Sequence, residues 1–137
     1  MKPIKSIILI LLLVVTTTIL SQPYQSDFNT VKTISMNDKN DIKINKEVSG
    51  NLVLEKSLNK FDINYFINEN IQEKISFIFI NNVLTKEKNN LNVYINNYYN
   101  KTDNNIYTIT LSIKDNKLTG VVVKKQFSDY MVVFTYE

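Results

Sequence analysis

Residues 106–123 read "IYTITLSIKDNKLTGVVV", and this stretch decides the fold class. Apolar side chains recur at every second position in its first half, whereas hydroxyl-bearing Thr and Ser fill the positions between them. This period of two is typical of a half-buried β-strand and not of a helix. The residues predicted to share the buried face are Tyr107, Ile109, Leu111 and Ile113.

A hairpin is predicted where this strand ends. Asp115 and Asn116 suit a two-residue turn, because Asp and Asn tolerate positive φ better than most residues. A two-residue loop keeps one apolar face continuous across both strands. The pairs expected in that register are Ile113 with Leu118, Leu111 with Gly120, and Ile109 with Val122.

Outward from the hairpin, the same alternation continues through most of the chain. "FDINYFIN" at 61–68 places Phe61, Ile63, Tyr65 and Ile67 on one face. Weaker strands are predicted at 31–36, 41–46, 48–55 and 91–99. The exception is "NNVLTKEKNN" at 81–90, where a single helical turn is expected. With two glycines in the whole chain, asparagine is expected to supply most positive-φ turn positions.

Three stretches are apolar on both faces: "ISFIFI" at 75–80, "VVV" at 121–123 and "YMVVF" at 130–134. Such strands are usually central and covered on both sides. We therefore expect a second layer, a short helix or a dimer partner to cover them. A two-residue loop at Ser128–Asp129 would pair Phe134 with Val123 on the other face, so a three-residue loop or a bulge is expected there.

These patterns predict one all-β domain over residues 23–137, with eight or nine mainly antiparallel strands in a barrel or a two-sheet sandwich. Residues 1–22, with two lysines before nine unbroken apolar residues, predict an export signal. An export signal followed by a strand meander resembles the organisation of the small lipocalin-like β-domains that bacteria export. This resemblance implies a barrel with a ligand cavity. The chain has no Trp, so the glycine–tryptophan signature of true lipocalins is absent. An immunoglobulin-like sandwich is the competing architecture.

The N-terminal 22 residues, "MKPIKSIILILLLVVTTTILSQ", predict a secretory signal peptide. Lys2 and Lys5 precede nine unbroken apolar residues, and Ser21 offers a small residue for cleavage after Ser21 or Gln22. The alternative is an uncleaved anchor, but the apolar run is shorter than the ~20 residues that cross a bilayer. The expected location is therefore the periplasm or the medium.

Composition excludes several functions. The chain has no His, Cys or Arg, so disulfides, zinc–thiolate sites and the usual hydrolase triads are ruled out. Without the signal segment, 14 Lys face 13 acidic residues, which argues against a nucleic-acid partner. We expect no enzymatic activity, no cofactor and no metal. A hydrolase using two facing carboxylates is the less favoured alternative.

Ligand binding has one candidate segment, "NVYINNYYN" at 92–100. Tyr94 and Tyr98 share a strand face, and with Asn96 and Asn100 they could bind a glycan as part of an adhesion surface. Alternatively, the tyrosines cover the core with their hydroxyls in water. The favoured hypothesis is an exported, non-enzymatic domain that binds a small apolar molecule or a protein, with a homodimer as a further option.

Overall fold

The computed structural model describes residues 22–38 and 41–136, and within these ranges every regular element is a β-strand. No helix in the described part of the chain is long and apolar enough to cross a membrane. The predicted signal peptide lies almost wholly outside the described residues. The strands are β1 (Tyr24–Ser35), β2 (Ile42–Leu54), β3 (Lys60–Ile67), β4 (Asn70–Lys88), β5 (Leu91–Asn100), β6 (Asn105–Lys114), β7 (Lys117–Lys125) and β8 (Tyr130–Thr135).

The strands form one closed antiparallel barrel in sequence order, which confirms the predicted all-β fold and selects the barrel over the sandwich. Closure comes from six residue pairs between β1 and β8, from Thr30–Thr135 to Ser35–Tyr130. The connections β1–β2, β3–β4, β5–β6 and β7–β8 lie at one end, called the open end here. The other three connections and both termini of the barrel lie at the opposite, closed end.

The inward-facing residues of every strand pack into one core, which fills the barrel except at its open end. Aromatic rings join strands that are distant in sequence. The Phe28 ring meets Phe134 at 5.0 Å and Tyr65 at 5.6 Å, both edge to face. The fully buried members include Leu54, Phe61, Ile109 and Leu111. Because such contacts link first, middle and last strands, they hold the barrel closed without any disulfide.

Asparagine does replace glycine in the turns. The two-residue turns Asn68–Glu69, Asn89–Asn90 and Asp115–Asn116 have positive φ at both positions, from 49° to 66°. This is the geometry of a type I′ turn, whose twist matches that of the flanking strands. In the described residues, neither glycine has positive φ.

The predicted β6–β7 register is right at its start and wrong beyond it. Ile113 pairs with Leu118 as expected, but Leu111 pairs with Val121 and Ile109 with Val123. A bulge between Ser112 and Ile113 shifts the pairing by one residue. The bulge brings Val121 and Val123, instead of Val122, to the buried side. An extra residue of this kind leaves no trace in a period-two pattern.

The helical turn expected at 81–90 is wrong, because β4 continues as a strand to Lys88. Its second half pairs with β5 from Phe79–Tyr98 to Lys88–Leu91, with two bulges on the way. Cross-strand pairing overrides the weak helical pattern of a ten-residue segment. Two expected strands, 41–46 and 48–55, are likewise one continuous strand, β2.

Of the doubly apolar stretches, 75–80 is left uncovered on its outer side by the described chain. Phe77 and Phe79 pack into the barrel, whereas Ile78 and Ile80 on the outer wall are 42% and 45% exposed. Ile67 also lies outside the core, because it is the last residue of β3 and adjoins the exposed Asn68–Glu69 turn. At the β7–β8 connection, where a three-residue loop or a bulge is expected, the four residues 126–129 join the strands instead.

Several stretches of the barrel wall have a strand partner on one side only, and two of them, in β2 and β4, are long. Within the described residues, Ile42–Ser49 of β2 pairs with β1, and pairing with β3 begins only at Gly50. Similarly, Asn81–Lys88 of β4 pairs with β5 but has no partner on the β3 side. These free edges arise because the long strands β2 and β4 outrun β3, which has eight residues.

Candidate ligand site at the open end of the barrel

The predicted binding residues of β5 share the inner face of the barrel. Tyr98 is 0% exposed, Asn96 and Asn100 are buried, and Tyr94 is half-buried against the core. The Tyr98 hydroxyl donates a 2.9 Å hydrogen bond to the Leu58 carbonyl, so it does not lie in water as expected. Asn96 accepts a 2.7 Å hydrogen bond from the Asn82 amide. Three of the four residues therefore sit within the fold, and their binding of a ligand stays a prediction.

Of these four residues, Asn100 lines a cavity described here. This space, called the mouth cavity here, has a volume of about 310 Å³ at the open end of the barrel. Its aromatic lining residues are Tyr65, Phe77, Tyr107 and Phe134. Its aliphatic lining residues are Ile63, Ile75, Val123 and Val132. A volume near the lower end of the ~300–1,000 Å³ range of ligand pockets fits a small molecule.

Strand alternation explains why apolar side chains converge here. Ile63 and Tyr65 of β3, and Ile75 and Phe77 of β4, are inward positions near the strand ends, and Ile63 pairs directly with Ile75. The Phe77 ring meets the Tyr107 ring edge to face at 5.2 Å, which joins β4 to β6 across the interior. The cavity is therefore a part of the core that the side chains leave unfilled.

The polar rim contains a hydrogen-bonded cluster in the β5–β6 loop. Tyr107 donates a 2.5 Å hydrogen bond to Asp103 Oδ2, and Lys125 Nζ lies 3.7 Å from the same oxygen. Burial, and then the hydrogen bond to Asp103, raise the pKa of Tyr107 to about 12. The Tyr107 hydroxyl in turn lowers the pKa of Asp103. Asn100 Oδ1 accepts the Thr102 backbone N–H at 2.8 Å and so shapes the same loop.

Glu73 is the second carboxylate of the mouth cavity. It pairs across the β3–β4 ladder with Tyr65, two residues before the inward-facing Ile75. Burial raises the pKa of Tyr65, and the negative charge of Glu73 raises it further. The neighbouring Lys74 forms a 3.1 Å ion pair with Asp62. Glu73 has no ion-pair partner among the residues the structure describes.

A wider opening, called the side cleft here, adjoins the mouth cavity. It has a volume of about 770 Å³ and shares Tyr65, Glu73 and Val132 with the mouth cavity. One wall is the free edge of β2, including Ile44 and Val48. The other is the β3–β4 hairpin. The cleft exists because β2 and β3 separate beyond the Gly50–Tyr65 pair.

The arrangement offers little to a hydrolase. Glycoside hydrolysis requires one carboxyl held protonated, which needs a raised pKa. The pKa of Asp103 is lowered instead, so Asp103 does not supply that acid. The described residues also contain no group of three or more acidic side chains that could hold a metal ion. The site is an apolar cavity with a polar rim.

Alternation predicts the inward faces of β3 and β6, but it does not show that Tyr65, Phe77, Tyr107 and Phe134 line one cavity. Their inward positions were readable from period two. The missing information was the order of the strands around the barrel, which brings the ends of β3, β4, β6 and β8 together.

Comparison with protein-family models, with curated proteins and with solved structures gave no match to this chain.

Proposed function

We propose that the mature chain is an exported, non-enzymatic binding protein that takes up a small, mostly apolar molecule in the mouth cavity. The observation that carries this proposal is the convergence of four aromatic and four aliphatic side chains on an unfilled space at the barrel's open end. Apolar pockets with a few polar groups are the usual form of small-molecule sites. The signal pattern of residues 1–22 supports export.

Burial of the ligand's apolar surface would drive binding. Transfer of apolar surface out of water contributes roughly 25 cal/mol per Å², so a ligand that fills the cavity gains several kcal/mol before the costs of association. The polar rim, with Asn100, Thr102 and Asp103, would orient the ligand's polar end toward solvent. Such an arrangement favours molecules with one apolar and one polar end.

Titration with a neutral fluorescent probe such as N-phenyl-1-naphthylamine tests the proposal on the mature protein. We expect a saturable signal at one probe per barrel. Ile75→Trp places a large ring in the mouth cavity and should weaken binding at least about tenfold, since the site is then occupied. Ile71→Trp is the matched control, because Ile71 is exposed and does not line the cavity. Absence of saturation, or equal binding by both variants, would contradict the proposal.

A second candidate function is the docking of an extended segment of another protein on the free edge of β2. Among the described residues, Ile42–Ser49 has no strand partner on the side of the side cleft, and Ile42 and Ile44 are exposed. The unpaired backbone N–H and C=O groups of a strand edge form hydrogen bonds with another extended strand. The docked segment is therefore expected to be extended.

Amide hydrogen exchange tests whether a partner docks on the free edge of β2. A partner is first captured by a photo-crosslinker at Ile44 but not by one at Ile80. The peptide of that partner that carries the crosslink is then identified. That peptide, added in excess, should slow exchange of the amides at 42–49 selectively. Slowing that is uniform over the barrel, or no slowing at all, would remove strand docking.

A further inference from the structure

The charged residues that line the mouth cavity indicate which class of small molecule it binds. This inference rests on the function proposed above. Three charged residues line the cavity, namely Glu73, Lys74 and Asp103. Two of them are already paired. Lys74 Nζ lies 3.1 Å from Asp62 Oδ2, and Asp103 Oδ2 accepts the Tyr107 hydroxyl and faces Lys125 at 3.7 Å.

Glu73 is different, because no lysine of the described chain lies within ion-pair distance of it. It stands opposite Tyr65 on the ladder, so the two side chains share one face of the sheet. It lines the mouth cavity and the side cleft at the point where they join. A carboxylate beside an apolar cavity attracts a cation and repels an anion.

The aromatic lining adds to this preference. Tyr65, Phe77, Tyr107 and Phe134 present rings to the same small space. The face of an aromatic ring carries a negative quadrupole, which attracts ammonium groups within about 6 Å of its centroid. The chain already contains one such contact on its surface, where Lys56 Nζ lies 3.6 Å from the centroid of the Tyr24 ring.

We infer that the ligand is an amphiphilic cation, with an apolar body that fills the mouth cavity and an amine or quaternary ammonium group that pairs with Glu73. The body contacts the aliphatic and aromatic lining. The ammonium group lies at the junction of the cavity and the side cleft, where solvent can reach it. A fatty acid of the same length would instead bring its carboxylate against that of Glu73.

Three probes with a ten-carbon chain separate the contribution of the head group to affinity from that of the tail: decyltrimethylammonium, decanol and decanoate. Each competes with the neutral fluorophore at concentrations at which the probe is dissolved as single molecules. We expect the cation to bind about five- to tenfold more tightly than the alcohol, and the carboxylate more weakly than the alcohol. The advantage of the cation should shrink as salt is added.

Glu73→Gln should remove most of the cation's advantage and leave decanol binding unchanged. Glu69→Gln is the matched control, because Glu69 is an exposed acid in the β3–β4 turn, four residues away, that does not line the cavity. Equal binding of cation and alcohol by the wild type, or equal effects of the two substitutions, would overturn the inference while the proposed function stands. Failure of all three probes to displace the fluorophore would overturn both.

Discussion

The ring of Phe28 lies directly across Gly50 on the neighbouring strand, in the place where any other residue would carry its side chain. A Cβ built on Gly50 would sit 2.3 Å from Phe28 Cζ and 2.2 Å from the Asn64 carbonyl oxygen. Phe28 and Gly50 are paired in the β1–β2 ladder. The ring thus covers a glycine that would otherwise weaken a strand.

Gly50→Ala should destabilise the barrel by about 1–3 kcal/mol or more, because the new methyl group displaces the ring or the β3 backbone. Gly120→Ala is the control, since its nearest neighbour, Ser112 Cβ, would lie at an ordinary 3.5 Å. We expect that variant to stay within about 0.5 kcal/mol of the wild type. Urea unfolding of both variants measures the difference, and equal midpoints would refute the steric explanation.

Tyr98→Phe should cost about 1–3 kcal/mol, because it leaves the Leu58 carbonyl without its 2.9 Å hydrogen bond at a buried position. Tyr99→Phe removes a hydroxyl that bonds Asn104 at the surface, and should change stability by less than about 0.5 kcal/mol. Thermal unfolding of the two variants would show whether the inward hydroxyl of Tyr98 stabilises the barrel. A larger effect of Tyr99→Phe is incompatible with this role.

Asp62 is a buried carboxylate on the outer wall, with Lys74 at 3.1 Å and Lys60 at 3.6 Å from its Oδ2. Lys74→Met should destabilise by about 1–3 kcal/mol, because it removes the nearer cation from a buried charge. Lys60→Met should cost less. Denaturant unfolding at low and high salt would measure both, and a stabilising Lys74→Met would show that the ion pair is dispensable.

The Tyr107–Asp103 hydrogen bond should make stability depend on pH in the alkaline range. The folded state retains the Tyr107 proton up to its pKa of about 12, whereas an unfolded tyrosine loses it near pH 10. The folded state therefore binds more protons between those values, and this contribution to stability is lost as pH rises from about 10 to 12. Tyr107→Phe should lack this part of the decline.

Asp103→Asn separates the two causes of the Tyr107 shift. Burial is the larger cause and remains in the variant, so the pKa of Tyr107 should fall only part of the way from about 12 toward 10. Near-ultraviolet absorbance of tyrosinate, compared between the variant and the wild type, reports this change. An unchanged titration curve would mean that Asp103 does not contact the hydroxyl in solution.

The free edge of β4 is protected by its two bulges and by Lys86, Glu87 and Lys88. Lys86→Val should shorten the lag time of aggregation several-fold, because it extends the apolar run of an unpaired edge. Lys114→Val removes the same charge from β6, which has a partner on each side. Thioflavin T fluorescence compares the two variants, and equal lag times would show that the edge is not the nucleating element.

Much of the fold was readable from alternation alone. Tyr107, Ile109, Leu111 and Ile113 show period two because one face of their strand is buried, and that cause acts within a few residues. The asparagine-rich turns follow from the same local logic, since positive φ is a property of single residues. The bulge after Ser112 was not readable, because it depends on how the partner strand is packed.

The sequence by itself determined that the domain is a chain of antiparallel strands, that its core needs no covalent links, and that thiol and imidazole chemistry are excluded. Only the tertiary structure decided that β8 closes on β1, that Tyr98 turns its hydroxyl inward to Leu58, and that Glu73 and four aromatic residues line one cavity. The physical reason is the distance along the sequence over which each effect acts. Alternation and turn propensity act between near neighbours, whereas a cavity forms where residues far apart in sequence are brought around the same barrel.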